Sequence, residues 1–352
     1  MAVEHVQEST DAEAFYAGLG QHNVHPLWKQ PGLLPDEPIS KATPFVWPYR
    51  TLRELLLQAG AVVDPEQAER RVLMLINPGL DGAAAATANL YAGLQLVLPG
   101  EVAPAHRHAA SALRFVIEGS GAYTAVNGER QLMSPGDLVL TPNWAWHDHG
   151  NETDTPMIWL DGLDLPMINA FEANFFDRSA QSSQELTKPD NASARLYAGH
   201  LAPTWESWSE PYSPVFCYAW ADTERALAAL VGENPGSPTD GILLEYTNPR
   251  TGGAALPTLG CRVQALAPGQ HTGAHRHTAS TVYHVVRGSG SSIVGGERLD
   301  WSESDTFAVP GWAVHEHVNH SGDEQAVLFS FTDEPVLRAL GYYREATAER
   351  QT

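Results

Sequence analysis

Two stretches of this 352-residue chain carry residue types and spacings that could do chemistry: PGEVAPAHRH, with His106 and His108, and PGQHTGAHRH, with His275 and His277. A second pair follows each, His147 and His149 in WAWHDHG, and His315 and His317 in WAVHEHV. Side chains alternate across a strand, so each pair shares one face. Imidazole is the commonest neutral metal ligand, and converging imidazoles with an open position make a catalytic site. His106, His108 and His147 form one candidate triad; His275, His277 and His315 form a second. A single histidine is more often a surface or hydrogen-bonded core residue, but an ordered set that occurs twice points to ligands. An arginine, Arg114, lies within the apolar run LRFVI after the first motif, and Tyr283 takes its place after the second.

The elements that must position these groups are themselves duplicated. NPGLDGAAAATANLYAGLQLVLPGEVAPAHRH (77–108) lies over NPRTGGAALPTLGCRVQALAPGQHTGAHRH (248–277), and PGDLVLTPNWAWHDHGN (135–151) over ESDTFAVPGWAVHEHVN (303–319). His106 and His275 are 169 residues apart and His147 and His315 are 168 apart, so one residue has been lost between the motifs. Within each copy, short apolar runs such as AGLQLVL, LRFVI, DLVLTP and MIWLDGL alternate with Gly, Pro, Asn and Asp clusters, which predicts strands and turns. Asn-Gly in VNGE (126–129) predicts a hairpin. The pattern fits an all-β chain of two small antiparallel barrels or double-sheet rolls. Helices are expected outside the repeats: PYRTLRELLLQAG (48–60), ending at Gly60, TERALAALVG (223–232) and EPVLRALGYYREATAER (334–350). This divides the chain into an N-terminal extension (1–85), a first unit bearing the active site (86–170), a connector (171–240) and a second unit with a C-terminal helix (241–352).

Composition narrows the function classes. A net charge of −21 argues against nucleic acid, whose phosphates need lysines and arginines, and against an anionic membrane surface. No apolar run approaches the ~20 residues of a membrane span, and the N-terminus has no signal-peptide pattern. Two cysteines, Cys217 and Cys261, give no disulfide framework, so a reducing cytoplasm is the simplest setting.

The ordered motifs resemble those of the cupin superfamily: Gly100, then His106-Arg107-His108 and Gly119; later Pro135-Gly136-Asp137, Pro142, His147 and Asn151. The common cupin pattern completes its metal shell with a glutamate after the histidine pair, but Ala112 holds that place here and Thr281 holds it in the second copy. That departure, with HRHAASALRFVIEG, ERRVLMLINPGL (69–80) and HPLW (25–28), resembles the bicupin ring-cleaving dioxygenases, namely gentisate 1,2-dioxygenase and its relatives acting on salicylate and 1-hydroxy-2-naphthoate. The likeness runs from about residue 25 to residue 345. It implies two tandem jelly-roll barrels with peripheral helices and Fe(II) held by three histidines, with places left for an aromatic 2-hydroxy acid and O2. It also implies a homo-oligomer, a tetramer. Gentisate leads as substrate because it is the family's commonest, and its ring would open between the carboxyl- and hydroxyl-bearing carbons to maleylpyruvate.

Parity assigns Arg114 its direction. Ala112 occupies an inward ligand place, so Arg114, two residues on, should also point inward. An unpaired buried guanidinium costs several kcal/mol; either a protein carboxylate or the substrate's, held in the planar fork, would balance it. By motif position the resemblance adds Arg70, Gln95, His149 and Asp161 as substrate contacts or catalytic groups, and places Tyr91 and Gly93 where relatives vary with substrate range. Arg70 also reads as a surface helix charge, Gln95 as a strand hydrogen bond, and His149 as a residue behind the ligands or a general acid/base. In the second copy Gln264 and His317 persist, Tyr283 replaces Arg114, and Phe329 is matched to Asp161. Two other classes compete: a Zn or Mn isomerase or hydrolase on the same fold, and a non-enzymatic storage or sensing bicupin.

Overall fold

The computed structural model describes residues 10–64, 70–234 and 236–348. The chain up to Ile39 and the chain from Ser40 are two compact units. The short unit holds the helix Thr10–Leu19 and an aromatic pair of contacts: Trp28 Nε1 donates to the Tyr16 hydroxyl (3.1 Å), and the Lys29 ammonium sits 3.9 Å from the Tyr16 ring centre.

The large unit contains both repeats, each a six-stranded and a five-stranded antiparallel sheet. In the first copy the six-stranded sheet is ordered Cys217–Tyr218, Leu138–Thr141, Ala112–Glu118, Met157–Leu163, Tyr91–Val97, Arg71–Met74. Its five-stranded partner runs Phe176–Arg178, Val102–His108, His147–Gly150, Tyr123–Val126, Glu129–Leu132. The second copy repeats this order, with Glu345–Thr347 beside His275–His277 as Phe176–Arg178 lies beside His106–His108. The VNGE turn forms as expected, with Asn127 and Gly128 both at positive φ (46° and 77°) between paired strands.

The two copies are tied together reciprocally. Phe45–Trp47, which precedes the first repeat, pairs with Thr306–Val309 of the second, while Cys217–Tyr218, which precedes the second, pairs with Leu138–Val139 of the first. The Pro-Gly-Asp turn and its counterpart anchor this exchange. Asp137 accepts from Ser134 N within its own turn and from Trp220 N at the start of the helix Trp220–Ala228; Asp305 accepts from Ser302 N and from Tyr49 N at the start of the helix Tyr49–Val62. A carboxylate at a helix N-terminus satisfies an orphan N–H and favours the dipole. Between the copies lies one shared apolar core, in which Phe115 stacks on Phe329 at 4.2 Å and Phe331 packs against Gly162, where a Cβ would meet its ring at 2.8 Å.

Two helix expectations need correction. The first helix does not stop at Gly60 but runs to Val62; the glycine lets it lie close on the sheet, because a Cβ there would meet Leu96 Cδ2 at 2.9 Å. The last helix ends at Ala339 rather than continuing through 350. Gly341 at φ 76° turns the chain back, and Glu345–Thr347 becomes an edge strand on the second histidine pair. Residues 349–350 lie outside the described residues. The third expected helix, 223–232, forms as Trp220–Ala228. Among the described residues no helix is long and apolar enough to cross a membrane, and both cysteines are free and buried.

Candidate metal centre and its surroundings

His106 and His147 lie directly opposite each other on neighbouring antiparallel strands, just past a bulge after Ala103 that re-aims the strand. His108 shares the face of His106. The three ring centres are 4.2, 4.8 and 5.6 Å apart, and one ligand atom from each lies within 4.8 Å of the others. Each Nδ1–H donates to a backbone carbonyl: His106 to Pro104 (2.7 Å), His108 to Ala110 (2.7 Å), His147 to Ala145 (2.9 Å). Those bonds fix the tautomer, so the three Nε2 lone pairs converge. Burial, with Arg70 nearby, pushes His106 down to about 3; burial pushes His108 to about 4 and His147 well below the ordinary value. All three are therefore neutral near pH 7, the form a metal requires. Among the described residues His147 Nε2 is buried with no hydrogen-bond partner, an orphan that a bound ion would satisfy. An all-imidazole donor set of this kind suits Fe(II) or Zn(II). Among the described residues no carboxylate belongs to the cluster, as the Ala112 departure implied.

Arg114 points inward and is 2% exposed. Its Nη1 donates to Thr141 Oγ1 (2.9 Å), while its Nε stands 3.4 Å from Asp161 Oδ1 without making a hydrogen bond. Asp161 is directly opposite Arg114 across the strand pair and accepts from Trp159 Nε1 (3.0 Å). Both alternatives for the buried charge therefore have a physical basis: a protein carboxylate is present, but it is held by Trp159 and engages the guanidinium loosely. Burial lowers Arg114 to about 10 and raises Asp161 despite the arginine beside it.

The remaining candidates gather on the same side. His149 is fully buried, its Nδ1 2.9 Å from Thr124 Oγ1 and its Nε2 without a partner; burial holds it well below the ordinary histidine range. Gln95 Nε2 is also buried, with no hydrogen-bond partner among the described residues. Tyr91 is buried, and its hydroxyl fills the space over Gly93: a Cβ there would meet Tyr91 Oη and Val72 Cγ1 at 2.8 Å each. Arg70 is not a surface helix charge. It enters the edge strand Arg71–Met74 and its Nη1 lies 3.1 Å from His106 Nε2, while the adjacent Arg71 turns to the other side and pairs with Glu101 (2.6 Å).

Sequence reasoning missed Phe176, whose ring stacks on His106 at 5.3 Å and 15° and lines a depression with Arg70, His106 and Arg178. It lay in the stretch read as connector, where only a return to the barrel would have exposed it. Thr124, Thr141 and Trp159 were missed too. Trp159 was within reach, because it shares a face with Asp161 two residues on.

The second triad forms as the repeat predicts, with ring centres 4.3, 4.9 and 5.7 Å apart. Its surroundings correct one match. Register places Ser330 opposite Tyr283 and Arg262, as Asp161 is opposite Arg114 and Gly93, so Ser330 and not Phe329 corresponds to Asp161. The residue lost before the second histidine pair is regained in the turn that follows, and a one-residue slip reverses the face. Phe329 accordingly points into the core between the copies.

Comparison with known proteins agrees with this geometry. The Cupin domain family matches residues 93–163 and 262–332. The gentisate 1,2-dioxygenase 1 of Aquipseudomonas alcaligenes is 42% identical over 337 residues, 96% of each chain. The 5-aminosalicylate 1,2-dioxygenase of a Comamonas species is 44% identical, covering 96% of this chain and 90% of its own. The chain belongs to the gentisate 1,2-dioxygenase family. The crystal structure of the salicylate 1,2-dioxygenase from Pseudaminobacter salicylatoxidans superposes with a TM-score of 0.90 at 37% identity, covering 97% of this chain and 99% of that one. As a member of this family of bicupin ring-cleaving dioxygenases, the chain is an enzyme with a three-histidine metal site and a small aromatic substrate.

Proposed function

We propose that the enzyme opens the ring of gentisate, 2,5-dihydroxybenzoate, to maleylpyruvate, using Fe(II) held by His106, His108 and His147. The observation that carries this reading is a neutral histidine triad beside a buried guanidinium that its own carboxylate neighbour engages only loosely. Fe(II), when bound, supplies the place where a 2-hydroxy acid chelates and O2 is activated. The other tasks fall to the protein. Arg114 takes the substrate carboxylate, and Asp161 keeps the guanidinium's charge balanced before substrate arrives. His149, with Nδ1 2.9 Å from Thr124 Oγ1, offers Nε2 as a hydrogen-bond acceptor to the substrate hydroxyl. Gln95 Nε2 donates to a substrate oxygen, relieving its buried orphan state. Arg70 releases His106 Nε2 to the metal and presents its charge at the mouth, beside Phe176. Tyr91, packed over Gly93, bounds the far edge of the ring and so sets substrate range.

A second substrate, 5-aminosalicylate, has a specific observation in its favour, the 44% identity to the Comamonas enzyme. Oxygen uptake by Fe(II)-loaded enzyme with gentisate, 5-aminosalicylate, salicylate and 1-hydroxy-2-naphthoate separates the readings. Gentisate should give the highest kcat/KM; a higher value with any other acid overturns that choice. The resemblance also supports a cytoplasmic homotetramer, and light scattering on the purified protein tests the assembly.

A further inference from the structure

An indole serves both buried charges of the first copy. Trp159 lies on the strand Met157–Leu163, opposite Gln95 on one neighbouring strand and Val116 on the other, and is fully buried. Alternation gives it the face of Asp161, two residues on. Its Nε1–H donates to Asp161 Oδ1 (3.0 Å), the same oxygen that stands 3.4 Å from Arg114 Nε. The guanidinium carbon of Arg114 lies 6.0 Å from the centre of the Trp159 ring, at the edge of cation–π range. Each charge is thus answered separately, the carboxylate by the indole N–H and the cation by the ring.

A carboxylate and a guanidinium this close in a buried site gain most by closing into a bidentate pair. Here they have not closed: Arg114 Nη1 is given to Thr141, and Nε makes no hydrogen bond among the described residues. A closed pair would occupy the fork that a substrate carboxylate needs. Packing alone does not call for an indole at this place. The second copy fills it with Leu328, opposite Gln264 and Val285 and as deeply buried. There Tyr283 and Ser330 stand for Arg114 and Asp161, so the indole accompanies the two charges and is absent where they are absent.

We propose that Trp159 is a positioning residue for the reaction: by holding Asp161 Oδ1 it keeps that carboxylate from closing on Arg114 and leaves the guanidinium fork to the substrate. This rests on Arg114 being the clamp for the substrate carboxylate.

The test is a double-mutant cycle read as affinity, without turnover. Fe(II)-loaded enzyme is titrated with gentisate under argon by calorimetry. Trp159→Phe keeps a ring but loses the N–H, and should raise Kd about tenfold or more. In an Asp161→Asn background, where no carboxylate remains to close on Arg114, the same change should cost less than about threefold. Trp159→Leu, which introduces the side chain of the second copy, is titrated beside it and should show the same dependence on Asp161. Equal losses in the two backgrounds, or a Trp159→Phe enzyme within about threefold of wild type, would overturn the proposal and leave Trp159 a packing residue. Arg114→Lys separates the two claims. If it binds gentisate as tightly as wild type, the clamp fails and the proposal with it; if it binds weakly while Trp159→Phe binds normally, the clamp stands and only the positioning role is lost.

Discussion

Replacing Arg114 tests how this family's site handles a carboxylate, because the proposed clamp on substrate and the contact with Asp161 can be separated. Its Nη1 is held by Thr141 and its Nε stands 3.4 Å from Asp161. Arg114→Lys keeps the charge but not the planar fork, and should hold metal as wild type does. Loss of one charge-assisted hydrogen bond, about 1.5–3 kcal/mol, lowers kcat/KM by roughly tenfold to a hundredfold. Arg114→Ala removes the charge too and leaves the Asp161 carboxylate buried alone. Breaking a buried pair costs about 3–5 kcal/mol, but Asp161 is already pushed upward by burial and can take a proton, so the loss should fall at or below the lower end. Arg114→Met combined with Asp161→Asn removes both charges and should recover most of that stability without recovering activity. Oxygen-electrode kinetics, metal content and thermal midpoint are measured on the same preparations. An Arg114→Ala enzyme whose metal-loaded fraction turns over at the wild-type rate would show that Arg114 only balances Asp161, and the clamp would be refuted.

Three further outcomes follow from particular contacts. Gly93→Ala places a methyl 2.8 Å from both Tyr91 Oη and Val72 Cγ1, so Tyr91 must shift; the ratio of kcat/KM for gentisate to that for salicylate should change by at least about tenfold, and an unchanged ratio would remove Tyr91 from substrate selection. His284 is buried in the core beside Phe115, and burial lowers it to about 3. The native state therefore keeps it neutral while the unfolded chain protonates near 6.5, so its stabilising contribution is full above about pH 6.5 and lost as pH falls toward 3. His284→Phe should cut the stability lost between pH 7 and pH 5 by about 2 kcal/mol in urea unfolding, and an identical loss in both proteins would contradict this. Asp137→Ala frees Ser134 N and Trp220 N together, so chemical denaturation should show about 2 kcal/mol of destabilisation, and under about 0.5 would deny the cap its role in joining the copies.

Much of the site was legible because a two-residue period and a duplicated pattern constrain faces without needing a structure. His106, His108, His147 and the inward Arg114 all follow from parity, and the repeat locates the second triad. Register across a turn was not legible: the one-residue difference between 151 and 157 moved Asp161's counterpart from Phe329 to Ser330. Long-range returns were hidden as well. Phe176 reaches His106 only because the chain comes back to the edge of the barrel, and Trp220 meets Asp137 across 83 residues. The last helix misled for a local reason, since the helical spacing of 334–350 continues through Gly341, where the backbone turns left-handed.

The most direct test of the central claim is oxygen consumption with gentisate by Fe(II)-loaded wild type and by His108→Ala protein, with iron counted in both. Wild type should consume one O2 per gentisate, with both atoms of 18O2 recovered in the ring-opened product. His108→Ala should show no gentisate-dependent uptake even when metal occupies the second triad. Sustained uptake by His108→Ala at wild-type rates would contradict the assignment of the reaction to His106, His108 and His147.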